Sequence, residues 1–265
     1  MDPLPPHPKV SIVMPSFNQA RFLEDSIKSV LAQDYPHIEF ILVDGGSKDN
    51  SLEIIRRYQE HFAWWVSEKD KGHADGLNKG FAHATGQILA WLNSDDTYFP
   101  GAISEAAAFL VEHPEVGMVY SDCDLIDDEG RNIGKFASRQ TDYHRLLRGS
   151  VHIPQATTFF RADLWRQVGP LDLSLFFSFD YDLWVRLAKV SELRYVPRRW
   201  ASFRMHERGK SVVNDDQCYP DMLRVYQREV GSRWLSWLRL RAIARRLLYA
   251  WIPWRLRLWL RKAIS

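Results

Sequence analysis

Carboxylates recur in this chain just where apolar runs end. Asp44 closes the run Ile38 to Val43 and precedes Gly45-Gly46, while Asp95 and Asp96 follow the run Ile88 to Leu92 within Asn93-Ser94-Asp95-Asp96-Thr97. At the first place the acid either builds a turn or accepts hydrogen bonds from a nucleotide base or ribose, and the two glycines permit close approach of a ligand to the backbone. At the second, the paired acids are either a solvated loop or a site for a hard divalent ion. Mg²⁺ and Mn²⁺ favour carboxylate oxygens and keep positions for water and phosphate. One acid can then hold the ion while its neighbour faces a sugar hydroxyl, and Asn93 can add a neutral oxygen.

Two further groups stand later in the chain. Asp180 lies in Phe177-Ser-Phe-Asp-Tyr-Asp-Leu-Trp184. Apolar neighbours desolvate a carboxyl, raise its pKa and suit it to general-base work. Asp182 fits the first turn of a helix, where it meets the positive end of the helix dipole. His206 follows Arg204-Met205 and precedes Lys210, so it can ligate a metal or touch a diphosphate. Each acid also has a plain reading as a helix-start or turn residue.

The elements that must position these groups alternate. Val10 to Met14, Ile38 to Val43, Trp64 to Ser67, Ile88 to Leu92 and Val116 to Ser121 read as buried strands. Helices are expected after Asn18, after Asp49 or Asn50, over Ala74 to Ala84, over Ala102 to Glu112 and over Tyr181 to Val190. Gln155 to Phe160 reads as a strand, and Asp127 to Gly130 as a turn between two strands. This rhythm implies an α/β protein with a mainly parallel sheet covered on both faces, and ligands on such sheets sit beyond the carboxyl ends of the strands. No G-x-G-x-x-G follows the first strand, which sets aside the dinucleotide fingerprint.

With 46% hydrophobic and 26% charged residues in 265, the chain is too apolar for intrinsic disorder and long enough for a sizeable core. Two cysteines are too few for a disulfide scaffold, so a reducing compartment is expected. No signal peptide or membrane-spanning run is visible. The formal charge of +2 conceals an asymmetry. The segment Gly231 to Ser265 holds nine of the 35 Lys and Arg, none of the 33 Asp and Glu, and five of the eleven tryptophans. A basic, Trp-rich segment of this kind is expected to lie at an anionic membrane surface, with Pro253 dividing it into two helices. Packing on the domain or a second subunit, and nucleic-acid binding, are the alternatives. The expected organisation is a domain over 1–228 and a helical tail over 229–265.

Six segments together resemble the family 2 inverting glycosyltransferases of the GT-A (Rossmann-like) fold, of the bacterial cell-surface polysaccharide type. They are Val10 to Asn18, Phe40 to Ser51, Asp70 to Gly80, Ala84 to Gly86, Trp91 to Asp96 and Phe179 to Arg186. The resemblance covers roughly residues 9 to 210. It implies transfer of a sugar from a nucleotide donor, by preference UDP-linked, to a hydroxyl of a glycan or lipid-linked acceptor. It also implies a Mg²⁺ or Mn²⁺ cofactor; the few cysteines and the basic, Trp-rich segment add the expectation of a cytoplasmic location on the inner face of the membrane. On the matching positions it puts Pro15, Phe17 and Asp44 at the base, Asp95 at the ribose, Asp96 and His206 at the metal and Asp180 as the catalytic base. Lys71 and Asp75 fall in a segment lining the nucleotide pocket. Asn93 and Phe179 depart from the acids frequent at their positions, so a non-catalytic sugar-nucleotide sensor is the alternative to an enzyme.

Overall fold

The computed structural model describes residues 1, 3–149, 151–207, 209 and 218–231; of the tail expected over 229–265, residues 232–265 lie outside the described residues. The first half builds as the apolar pattern dictates. Strand β1 (Val10–Ser16) lies between β2 (Ile38–Asp44) and β4 (Ile88–Trp91), with β3 (Trp64–Ser67) beyond β2, all parallel. Helices α1 (Ala20–Leu31), α2 (Ser51–Tyr58) and α3 (His73–His83) make the crossovers.

The second half is mixed. A short β5 (Thr97–Tyr98) and helix α4 (Ala102–Glu112) lead to a long β6 (Val116–Ile126) and its antiparallel partner β7 (Asn132–Phe136). Helix α5 (Tyr143–Leu147), strand β8 (Phe159–Arg161) and helix α6 (Ala162–Val168) follow, then α7 (Phe179–Val190), β9 (Glu192–Arg204) and α8 (Cys218–Val230). The sheet order is β3-β2-β1-β4-β8-β6-β9-β5. Strand β8 is antiparallel to β4 and β6, while β9 runs parallel to β6 and antiparallel to β5. The expected parallel sheet therefore holds for β3-β2-β1-β4 and gives way to mixed pairing beyond it. Gln155–Thr157, expected as strand, is a 3₁₀ turn just ahead of β8.

Alternation along the strands divides the core between two faces. Val13, Ile41 and Val43 point to the side covered by α3, α6 and α7, where they meet Leu77, Phe81, Leu164 and Leu183. Ile12, Met14, Phe40 and Leu42 point to the side covered by α1, α2 and α4, against Leu23, Ile27, Ile54 and Ile103. Gly80 lets α3 settle onto this sheet, because a Cβ there would stand 2.3 Å from Cγ1 of Val13. Arg161 is the large polar group in the core. It donates to the carbonyls of Leu110 and Val116 at 2.6 and 2.8 Å, and so satisfies a carbonyl at the end of α4 that its own helix leaves free. The expected domain boundary at 228–229 falls in the last turn of α8. Among the described residues no helix is long and apolar enough to cross a membrane.

Candidate functional site

The carboxyl ends of β1, β2, β3 and β4 open into one cleft of about 940 Å³, closed on its far side by the start of α7 and the end of β9. Pro15, Phe17, Asp95 and Asp180, all singled out in the sequence, line it. Phe17 shows 59% of its surface, an aromatic face left open at the cleft.

Asp44 is in the floor rather than the wall. It is completely buried, and its Oδ2 accepts the N–H groups of Gly46 and Ser47 at 3.1 and 2.9 Å and the Ser67 hydroxyl at 2.6 Å. Its Oδ1 accepts the Ser47 hydroxyl. Both oxygens are thus engaged in shaping the Gly45–Lys48 loop, and the direct ligand contact expected of Asp44 is not open in this arrangement. Gly46, at φ +80°, gives that loop its left-handed turn. At Gly45 the close approach expected for a ligand is made by the protein, since a Cβ would lie 2.6 Å from Oδ2 of Asp70. Asp70 lines the cleft and its Oδ1 accepts the Gly72 N–H at 2.9 Å. Lys71 and Asp75, expected in the pocket's lining, are not in it; Asp75 Oδ2 accepts the Lys71 N–H at 3.0 Å and fastens the turn.

The paired acids after β4 separate. Asp95 faces the cleft, and its Oδ2 lies 2.9 Å from Nε2 of His206. Asp96 is turned inward and fully buried. Its Oδ1 accepts the N–H of Arg204 at 2.9 Å and its Oδ2 the Asn93 amide at 3.2 Å. Burial, then the neighbouring charge of Asp95, pushes the Asp96 carboxyl well above the ordinary carboxylate range. Of the two acids it is thus Asp95, and not Asp96, that lines the cleft. Arg204 locks this corner: its Nε donates to the Asp95 carbonyl at 3.0 Å, its Nη1 to the Asp127 carbonyl at 3.0 Å, and its guanidinium stacks 4.7 Å above the Phe22 ring. Among the described residues no three His, Cys, Asp or Glu side chains come together as metal ligands. Asp95 with His206 offers one oxygen and one nitrogen, a pair that suits a divalent ion completed by substrate phosphate and water.

Asp180 is half-buried in the first turn of α7, flanked in the cleft by Phe177 and Phe179. Trp184, one turn on, stacks on Trp91 of β4 at 5.4 Å, and the Tyr181 hydroxyl donates to the Leu146 carbonyl at 2.8 Å. These contacts set α7 against the sheet. Sequence reasoning missed Asp70 and Gln155 as cleft residues. Asp70 was within reach of the strand-end rule, since it follows β3 by three residues. Gln155 carries no such signal; it reaches the cleft from its 3₁₀ turn and links the Trp91 carbonyl to the Asn93 amide at 2.7 and 3.0 Å.

A model described as Glycosyl transferase family 2 matches residues 11–168. A glycosyltransferase of Rickettsia typhi, uncharacterised by name, is 30% identical over 210 residues, which cover 76% of this chain and 65% of that protein. One from Mycobacterium tuberculosis is 33% identical over 190 residues, 70% of this chain and 71% of that one. The chain thus spans just under two thirds of the Rickettsia typhi protein. Among solved structures, S. aureus TarS 1–349 in complex with UDP-GlcNAc superposes with a TM-score of 0.67 at 16% identity, over 86% of this chain and 68% of that one. Mannosyltransferase PcManGT from Pyrobaculum calidifontis, in complex with GDP-Man and Mn²⁺, gives 0.66 at 20% identity, over 91% and 72%. At such identities the likeness is one of fold. With strand ends, cleft, family model and relatives in agreement, the chain belongs to glycosyl transferase family 2 and has a GT-A-type fold.

Proposed function

We propose that this enzyme transfers a sugar with inversion from a nucleotide donor, by preference UDP-linked, to a hydroxyl of a glycan or lipid-linked acceptor. The observation that carries the reading is the convergence of Asp95 and Asp180 on one cleft from separate halves of the fold. The base lies by Pro15, Phe17 and the loop that Asp44 shapes, where the exposed Phe17 ring offers a stacking face. Lys71 and Asp75 support the adjoining turn. Asp95 and His206 would hold a Mg²⁺ or Mn²⁺ ion, which when bound would neutralise charge on the departing diphosphate. TarS with UDP-GlcNAc and PcManGT with GDP-Man and Mn²⁺ make the donor class and the metal reasonable for this fold.

The chemistry needs one proton removed. The acceptor oxygen attacks the anomeric carbon from the face opposite the diphosphate. Asp180 accepts the hydroxyl proton as that bond forms, and the electron pair of the breaking C–O bond leaves on the diphosphate. Attachment of residues 229–265 to an anionic membrane surface belongs to the same proposal and rests on their tryptophans and basic residues.

A panel of UDP-, GDP- and dTDP-sugars, with and without Mn²⁺, is screened for thermal stabilisation of the chain, and turnover is read as nucleoside diphosphate release. Asp180→Asn is expected to lower turnover by about 10²- to 10⁴-fold with donor affinity unchanged. Full turnover by that variant would assign the base elsewhere.

A further inference from the structure

The segment that carries Asp180 is gripped from outside the stretch matched by the family model. Helix α8, which follows β9 in the chain, is bonded to α7 and its approach at both of its own ends. At its start the Asp221 side chain is buried, with 3% of the residue exposed. Its Oδ2 accepts the N–H groups of Phe177 at 2.6 Å and Ser178 at 3.2 Å, while the Ser178 hydroxyl donates to the Cys218 carbonyl at 3.0 Å. At its end Arg228 donates to Oδ1 of the fully buried Asp182, and Glu229 accepts from Lys189 at 2.9 Å.

The two N–H groups held by Asp221 lie immediately ahead of α7, where a helix offers no partner of its own. Ser178, the residue that opens the helix, makes no side-chain cap bond to it. Charge-assisted bonds from one carboxylate to two successive backbone groups fix the chain two and three residues before Asp180. Asp221 does not line the cleft. We propose, on the reading of Asp180 as the general base, that Asp221 is a positioning residue: from α8 it fixes the backbone at Phe177 and Ser178 and thereby the aim of the Asp180 carboxylate at the acceptor hydroxyl. The loops after β1, β2, β3 and β4 supply most of the cleft's lining and α7 its far side, so loss of this grip is expected to act on turnover and leave donor affinity unchanged.

The test uses the full chain, the UDP- or GDP-sugar that stabilises it most, Mn²⁺, and water as acceptor. In Asp221→Ala the rate of nucleoside diphosphate release is expected to fall about 10- to 100-fold, the scale of a misplaced reacting group, with donor Kd unchanged. Asp221→Asn, whose amide oxygen can still accept a backbone N–H, is expected to recover much of that rate. Wild-type rates in both variants, or a parallel loss of rate and donor affinity in both, overturn the proposal. Should Asp221→Ala fail to fold, Asp221→Asn decides: a severalfold lower rate at unchanged Kd supports positioning, and an unchanged rate refutes it. Asp180→Asn run alongside separates the two readings, because full activity there removes the base and leaves the Asp221 result as a statement about α8 only.

Discussion

The backbone turns between Asp95 and Asp96 so that one carboxylate looks into the cleft beside His206 and the other into the protein beside the Arg204 N–H. Neutral substitutions at the two positions are therefore expected to behave differently. Asp95→Asn should abolish any Mn²⁺-dependent part of donor affinity in titration. Asp96→Asn should keep it, because an amide oxygen can still take the Arg204 N–H. Asp96→Ala instead strands that buried N–H and is expected to cost about 1–3 kcal/mol in denaturant unfolding. A metal-dependent affinity that survives Asp95→Asn and vanishes in Asp96→Asn would restore the metal to Asp96. Two adjacent acids at a strand end announce a site but carry no mark of which one faces it. The pairing of Thr97 with Ser202 decides that, by bringing the end of β9 against Asp96. The same blindness affected Asp44, whose partners Ser47 and Ser67 come from two different segments.

Elements whose pattern is local were legible. Trp64–Ser67 and Ala102–Glu112 fall where hydrophobic spacing put them, and the apolar runs of β1, β2 and β4 needed only their ends adjusted. What failed was non-local. The helix expected after Asn18 forms, but Asn18 is not its cap: it adopts φ 53° and its Oδ1 accepts the Lys48 N–H at 2.8 Å. The Ala20 N–H is taken by Asp49 at 3.0 Å, and the same carboxylate accepts the Ser51 N–H at 3.0 Å, so one side chain serves the starts of two helices. Helices α5 and α6 are too short to show a period, and Gln155–Thr157 is apolar enough in its surroundings to pass for strand. At this scale Gly80 is the contact most open to test. An added methyl would collide with Val13 and come within 3.3 Å of Val43, and these β-branched chains have little rotamer freedom to yield. Overpacking of about 1–3 kcal/mol should outweigh the roughly 1 kcal/mol that alanine gains in a helix. Gly80→Ala is thus expected to lower the unfolding midpoint; a raised midpoint would mean that α3 can lift off the sheet without cost.

For the molecule as a whole, several carboxylates tie distant parts together and set its response to acid. Glu39, Asp49 and Glu229 are each opposed by burial, yet hydrogen bonds from Ser11 and Thr85, from Ser51 and Ala20, and from Lys189, Tyr143 and Arg228 hold them below the usual carboxylate values. Groups with depressed native values bind protons more readily in the unfolded chain. Their contribution is complete above the unfolded values near about 4 and is lost as pH falls through the native ones. Asp96, shifted upward, opposes this trend as it protonates. Urea midpoints are accordingly expected to drop steeply below about pH 4; a flat profile from pH 5 to 3 would show that these bonds persist in the unfolded state. The charge asymmetry between body and tail was plain in composition, whereas the mixed order of β8, β6 and β9 was not, because a strand's partner is written nowhere in its own residues.

That strand order has a consequence during synthesis. Strands β1 to β4 are made first, whereas Arg204 and His206 come at and just beyond the end of β9, which must pair beside β6 before His206 meets Asp95. A polypeptide halted on the ribosome short of β9 holds the strand ends and Asp180 but lacks the histidine. Under the chemistry proposed above, an unfinished copy leaves the cell's activated sugars uncleaved, and competence arrives in a single late docking event.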